Sequence, residues 1–148
     1  MEIIEITKNK KAYLSLLLLA DEQEDMIDRY LDRGRMFILD DNGVKAECVV
    51  TLERNDILEI KNIATAPGYQ KNGYGKALID YIIEYFSGQY SILQVGTGDS
   101  PLTIPFYEKC GFVRSHIIPN FFTDHYDHPI FEGGVQLVDM VYLQRPLK

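Results

Sequence analysis

Gln70-Lys71-Asn72-Gly73-Tyr74-Gly75-Lys76 lies between a strand-like run, Ile57 to Ala66, and a strongly amphipathic segment, Gly73 to Phe86. In that segment Tyr74, Ala77, Leu78, Tyr81, Ile82, Tyr85 and Phe86 recur at i, i+3, i+4 spacing. It reads as a helix packed on a sheet, with Gly88 closing it. A strand, a glycine-bearing turn and a fresh helix N-terminus make an anion site. The first-turn N–H groups lack intrahelical partners, and the helix dipole adds positive potential there. Glycines at 73 and 75 allow close approach of the backbone to a phosphate, and Lys71 and Lys76 add charge.

Two familiar phosphate loops fail on spacing. A Walker A loop using Gly68 and Gly73 needs Lys then Ser or Thr next, where Tyr74-Gly75 stands. A dinucleotide fingerprint starting at Gly73 needs Gly or Ala at position 78, which is Leu78.

Outward from this stretch, Glu2 to Thr7 alternates and reads as a strand, and Lys10–Ala20 and Glu22–Arg33 read as helices, Gly34 capping the second. Arg35 to Leu39 and Val44 to Leu52 form a hairpin through Asp40–Gly43, and a turn at Arg54–Asp56 leads into the strand Ile57 to Thr65. Ser91 to Val95 is a buried strand, and Ser100 to Cys110 a helix whose Pro105 forces a kink or a late start. Phe112 to Ile118 and Val135 to Leu143 are the last strands. Hairpins give antiparallel pairs, while strand–helix–strand from Ile57 to Val95 implies a parallel one. The sum is a mixed α/β sheet with helices on its faces.

At 148 residues the chain fits one domain, residues 1–148. A net charge of −7 argues against nucleic acid and mildly favours a cationic partner. Two cysteines, Cys48 and Cys110, and no signal-like N-terminus suggest a cytoplasmic setting. The apolar run Leu14 to Ala20 is far short of the roughly 20 residues that cross a bilayer, so no membrane partner is expected.

The pattern Gln-x-x-Gly-x-Gly at 70–75 resembles motif A of the GNAT (Gcn5-related N-acetyltransferase) superfamily, and Phe106-Tyr107-Glu108-Lys109-Cys110-Gly111-Phe112 resembles its motif B. The resemblance covers nearly the whole chain. It implies a mostly antiparallel twisted sheet with helices on both faces, and acetyl-CoA as cofactor. By the same resemblance, main-chain groups of Gln70, Lys71, Asn72, Gly73, Tyr74, Gly75 and Lys76 hold the pyrophosphate, and Ile63, Ala64 and Thr65 pair with the pantetheine arm. The implied activity is transfer of acetyl to a primary amine, a small molecule or a protein amino group, by direct attack in a ternary complex. A non-catalytic acyl-CoA-binding or sensing module is the alternative. A homodimer is frequent in the family.

Tyr107 takes the position of the phenol that protonates the departing thiolate. A Tyr pKa near 10 against a thiol near 8.5 makes full transfer uphill by about 2 kcal/mol, so Tyr107 assists. Its bland reading is aromatic packing with Phe106 and Phe112. Glu59, on the strand before the loop, takes the position of the general base. A normal carboxylate is a weak base, so that role needs burial, and the alternative is a Glu paired with a neighbouring Lys. Ser100 stands where many members carry an Asn that contacts CoA. A serine caps a helix but offers no amide donor. The segment 121–134 mixes aromatics with acids and reads as a loop across the acceptor pocket, Asp127 and Glu132 attracting an ammonium group. His125 and His128 with Asp124 or Asp127 mimic a metal site, but His-x-x-His alone in a Tyr- and Pro-containing loop is a common coincidence, and no metal is expected.

Overall fold

A computed structural model describes residues 1–147. Strand β1 (Glu2–Ile6) is followed by a 3-10 turn (Lys10–Tyr13), α1 (Leu14–Ala20) and the single turn α2 (Glu24–Ile27). Then come β2 (Arg35–Asp40), β3 (Val44–Glu53), β4 (Ile57–Thr65), α3 (Tyr74–Phe86), β5 (Ile92–Gly98), α4 (Ile104–Lys109) and β6 (Val113–Ile118). The chain closes with α5 (Phe121–His125), the small hairpin β7 (Phe131–Glu132) and β8 (Val135–Gln136), and β9 (Met140–Pro146). Seven strands form one sheet in the order β1-β2-β3-β4-β5-β9-β6. Only β4 and β5 run parallel, because α3 carries the chain across between them.

Alternation along the strands separates two cores. Phe37, Leu39, Cys48 and Val50 face α3 and α4, while Met36, Ile38 and Val49 face α1 and α2. Helices therefore cover both faces, as the resemblance implied. The α3 stripe is rotated slightly from its expected course. Leu78, Ile79, Ile82, Ile83 and Phe86 are buried, whereas Tyr85 lies exposed, its hydroxyl taking a bond from Arg35 Nη2 at 2.9 Å.

Other expectations are corrected. The helix expected over Lys10–Ala20 is a 3-10 turn followed by α1. The helix expected over Glu22–Arg33 survives only as Glu24–Ile27, and tight turns follow. Beyond those turns the Lys10 ammonium binds the carbonyls of Leu31 at 2.9 Å and Gly34 at 2.6 Å. Gly34 is no left-handed cap, since its φ is not positive. It is glycine because a Cβ there would sit 2.7 Å from Val49 Cγ1. Helix α4 starts late, with Pro105 in its first turn. The strand expected over Val135–Leu143 is broken, since Leu137 N–H turns aside to Ile130 O at 2.8 Å. Among the described residues no helix is long and apolar enough to cross a membrane.

Candidate active site

The cleft begins as a defect in the sheet. β4 pairs with β5 only from Ile57↔Ile92 to Ile60↔Val95, although both strands run on. On its other side β4 stays paired with β3 to Ala46↔Thr65. The parting coincides with a bulge: Val50 faces Ile60 and Val49 faces Asn62, leaving Lys61 as the extra residue. A bulge bends and twists its strand, here away from β5. The opening is a cleft of about 700 Å³ with Ile63, Ala64 and Thr65 along one wall and Val95, Gly96 and Thr97 along the other. The main chain of 61–65 on the β5 side is an unpaired strand edge, suited to an extended amide-bearing ligand.

The loop after β4 forms one end of the cleft. Gln70 folds back on it, its Oε1 accepting from Gly68 N–H at 3.2 Å and its Nε2 donating to Thr65 O at 3.2 Å. Gly73 has φ +82° and a Cβ there would meet nothing within 4 Å, so conformation alone requires glycine. At Gly75 the reason is different: a Cβ would come within 3.2 Å of Phe106 Cζ, so the small residue lets α3 approach α4. Gln70, Lys71, Gly73, Tyr74, Gly75 and Lys76 line the cleft, and Asn72 does not. Tyr74 Oη donates to Asp41 Oδ2 at 2.6 Å, and Lys76 pairs with Asp80 at 2.8 Å. The 13-residue helix α3 then points its open N-terminus at the cleft.

Tyr107 lines the cleft from α4, its ring packed edge-on against Phe106 and Phe112 at 5.2 and 5.8 Å. Packing and a place in the cleft lining are thus both true of it. Burial, more than neighbouring Cys48 and Glu132, pushes its pKa well up. No hydrogen bond holds its hydroxyl among the described residues.

Besides Asn72, three expected site residues lie outside the lining. Glu59 does not line the cleft: its Oε2 is 2.9 Å from Lys61 Nζ and its Oε1 takes a bond from Gln94 Nε2 at 2.7 Å. Ser100 is buried behind the lining, where its Oγ accepts from Leu102 N–H at 3.0 Å and its carbonyl from Ile104 N–H. Asp127 is exposed and bonded to His128. Glu132 does line the cleft, with burial raising its pKa and the Ser100 hydroxyl pulling it back. The segment 121–134 is partly ordered into α5 and β7, and from it Phe122, Tyr126, Ile130 and Phe131 also reach the cleft. His125 bonds Phe121 O and His128 reaches Glu22, so the two imidazoles go separate ways.

A polar cluster centred on Asp21 also reaches the cleft, and no local motif announces it. Asn62, buried in mid-strand, donates to Leu17 O and to Tyr30 Oη, both at 3.0 Å. Tyr30 Oη donates on to Asp21 Oδ2 at 3.1 Å, and Tyr126 Oη donates to Asp21 Oδ1 at 2.8 Å. Burial raises the Asp21 pKa, and the two hydroxyls, Tyr126 first, pull it back. An asparagine among apolar strand residues is a signal available in sequence. The tie between Asp21 and Tyr126 spans 105 residues and is not.

A family model described as acetyltransferase (GNAT) domain matches residues 32–114, from β2 to the start of β6. The N-acetyltransferase YvbK of Bacillus subtilis is 40% identical over 131 residues, 86% of this chain and 84% of its own. A GNAT family acetyltransferase from Elizabethkingia anophelis, solved with acetyl-CoA bound, superposes with a TM-score of 0.91 at 34% identity, over 98% of this chain and 97% of that one. A Bacillus subtilis acetyltransferase solved in complex with CoA gives a TM-score of 0.88 at 35% identity, over the same 98% and 97%.

Proposed function

This chain belongs to the GNAT acetyltransferase family, and we propose that it moves the acetyl group of acetyl-CoA to a primary amine by direct attack while both substrates occupy the cleft. The observation that carries the reading is the parted β4–β5 edge running into the open N-terminus of α3, with the unbonded Tyr107 hydroxyl on the same cleft wall. Solved relatives with acetyl-CoA or CoA support the same donor here.

The residues present suit that donor. The cleft of about 700 Å³ has an unpaired strand edge for an amide-bearing arm and, beside it, a glycine that leaves open space at Gly73 for a pyrophosphate. Ile63, Ala64 and Thr65 offer the edge, and first-turn N–H groups of α3 with Lys71 offer the anion contacts. Asn72 lies outside the lining, and Gln70 serves by shaping the turn. Acetyl-CoA supplies an activated thioester. Holding two reactants in one orientation accounts for much of the rate.

Tyr107 acts as a hydrogen-bond donor to the sulfur as negative charge develops there. Its raised pKa makes complete proton transfer to a thiolate costlier than the reference values give, which favours donation of a hydrogen bond over acid catalysis. Glu59 is occupied by Lys61 and Gln94 and serves the sheet in this reading, so the acceptor's proton leaves by another group. Ser100 shapes the start of α4 and orients Glu132.

The test is thiol release from acetyl-CoA in the presence of a panel of primary amines. Amine-dependent release with stoichiometric N-acetyl product supports the reading. Acetyl-CoA binding without transfer to any amine overturns it in favour of a sensing module.

A further inference from the structure

Two segments distant in sequence meet in the wall of the cleft. Asp21 follows α1, and its two carboxylate oxygens are held by Tyr30 at 3.1 Å and Tyr126 at 2.8 Å. The next positions repeat the tie: Asp127 N–H donates to Gln23 Oε1 at 3.1 Å, and His128 Nε2 meets Glu22 Oε1 at 3.1 Å. The 126–128 strap is therefore seated on the 21–23 turn. Each carboxylate oxygen accepts more than one hydrogen bond, so the tyrosines orient Asp21 without exhausting it.

Both signs of charge line the cleft. Lys71 and Lys76 come from the phosphate loop, Asp21 and Glu22 from the turn after α1, and Glu132 from β7. Among the described residues the one further lysine of the lining, Lys61, is ion-paired with Glu59. Phe122, Ile130, Phe131 and Leu137 supply apolar wall beside these carboxylates.

We infer that Asp21 binds the ammonium group of the acceptor and takes its first proton, and that the acceptor is an amine on an apolar or aromatic body with no carboxylate of its own. This rests on the N-acetyltransferase reading above. The apolar wall accommodates the body, and Asp21 and Glu132, with no ion-pair partner among the described residues, repel an acceptor carboxylate, while Glu22 is paired with His128. Of its neighbours, Glu22 and Asp25 are acidic, His128 beside Glu22 and Arg29 near Tyr126 are basic, Tyr30 and Tyr126 are neutral donors, and burial moves Asp21 toward a useful base. The proton balance closes. The ammonium gives one proton to Asp21, the C–N bond forms as the C–S bond breaks, and the second nitrogen proton ends on the CoA sulfur. Amide, CoA thiol and one proton result, the last released from Asp21 to solvent.

The experiment compares 2-phenylethylamine with phenylalanine as acceptors at saturating acetyl-CoA, for the wild type and Asp21→Asn. The wild type is expected to prefer 2-phenylethylamine by at least about tenfold in kcat/KM. Asp21→Asn is expected to lose at least about tenfold in that kcat/KM while KM for acetyl-CoA stays within about twofold. The loss should shrink as pH rises toward the pKa of the amine, where solution supplies the neutral form. A packing defect has no reason to shrink that way, so a loss equal at every pH overturns the inference. So does an unchanged kcat/KM. Tyr126→Phe, which removes one of the hydroxyls holding the carboxylate, should show a smaller loss of the same kind, and is the variant to read if Asp21→Asn does not fold. Preference for an amino acid or a polyamine over 2-phenylethylamine overturns this inference alone. Wild-type protein that binds acetyl-CoA and acetylates no amine overturns the parent reading with it.

Discussion

Tyr107 and Glu47 show how burial sets what a single titratable group can do. Burial pushes the Tyr107 pKa well up, so the phenol holds its proton at neutral pH. In the proposed mechanism its part is a hydrogen bond to a developing charge, an interaction worth about 1.5–3 kcal/mol. Tyr107→Phe should lower kcat by about 10- to 100-fold and leave acetyl-CoA affinity nearly unchanged, as steady-state kinetics and ligand titration would reveal. A larger loss, with the residual rate rising in added thiol-protonating buffer, would restore the acid role. Glu47 lies on β3 opposite Ala64, fully buried, with both carboxylate oxygens lacking a partner among the described residues. Burial lifts its pKa well above the ordinary 4.5, so the folded chain holds a proton that the unfolded chain has released. Stability linked to Glu47 is therefore intact below the unfolded value and declines as pH rises through the window up to the folded one. Glu47→Gln removes that dependence. Its unfolding midpoint relative to the wild type should climb between pH 5 and pH 8, and a flat difference across that range would contradict the assignment. Legibility at this scale was uneven. Tyr107 was readable because its neighbours Phe106, Gly111 and Phe112 form a local motif. Asp21 was not, since its partners Tyr30 and Tyr126 come to it only through the fold.

At the scale of elements, local chemistry read well wherever one segment decides the outcome. The turn at Gly73 and the helix α3 depend on neighbours within a few residues and were legible, while the buried face of α3 is rotated toward Ile79 and Ile83 and away from Tyr85. Strand β4 was found with its observed ends, but its bulge at Lys61 was not. A bulge depends on which residue of β3 faces which residue of β4, and pairing register is not written in either strand alone. The expected helix over Glu22–Arg33 is observed only as Glu24–Ile27, and the turns after it carry a tie from Lys10, on another element, to the Leu31 and Gly34 carbonyls. The Gly73 turn carries a prediction that separates conformation from crowding. With φ +82° and open space around it, Gly73→Ala should cost about 1–2 kcal/mol by denaturant titration and weaken acetyl-CoA binding. Gly73→Asn should do less harm, since asparagine tolerates the left-handed region better. Equal damage from both would mean that side-chain bulk at the phosphate loop, and not backbone conformation, is what glycine avoids there.

Across the whole molecule the sheet is one continuous frame with one deliberate gap. Antiparallel pairs hold β1 to β4 and β5 to β6, and the single parallel seam between them is the one that opens. In the proposed reading the acyl donor lies where the two halves of the sheet part, and α1, α5 and the strap between α5 and β7 wall the acceptor. Lysines reach the cleft from the phosphate loop and carboxylates from the turn after α1 and from β7. The net charge of −7 was visible in the composition, but not which charges reach the cleft, which needs the topology. At the far edge of the sheet every residue of β6 is exposed.

Thermal unfolding with and without acetyl-CoA, with ATP as the comparison, tests the central claim most directly. A ligand that binds only the folded chain at about 100 times its Kd adds about 2.7 kcal/mol. For a chain of this size that is a rise of roughly 5–10 °C in midpoint. The account predicts such a rise with acetyl-CoA, a smaller one for Gly73→Ala, and none with ATP. An unmoved midpoint at saturating acetyl-CoA, or an equal response to ATP, would contradict the assignment of this cleft.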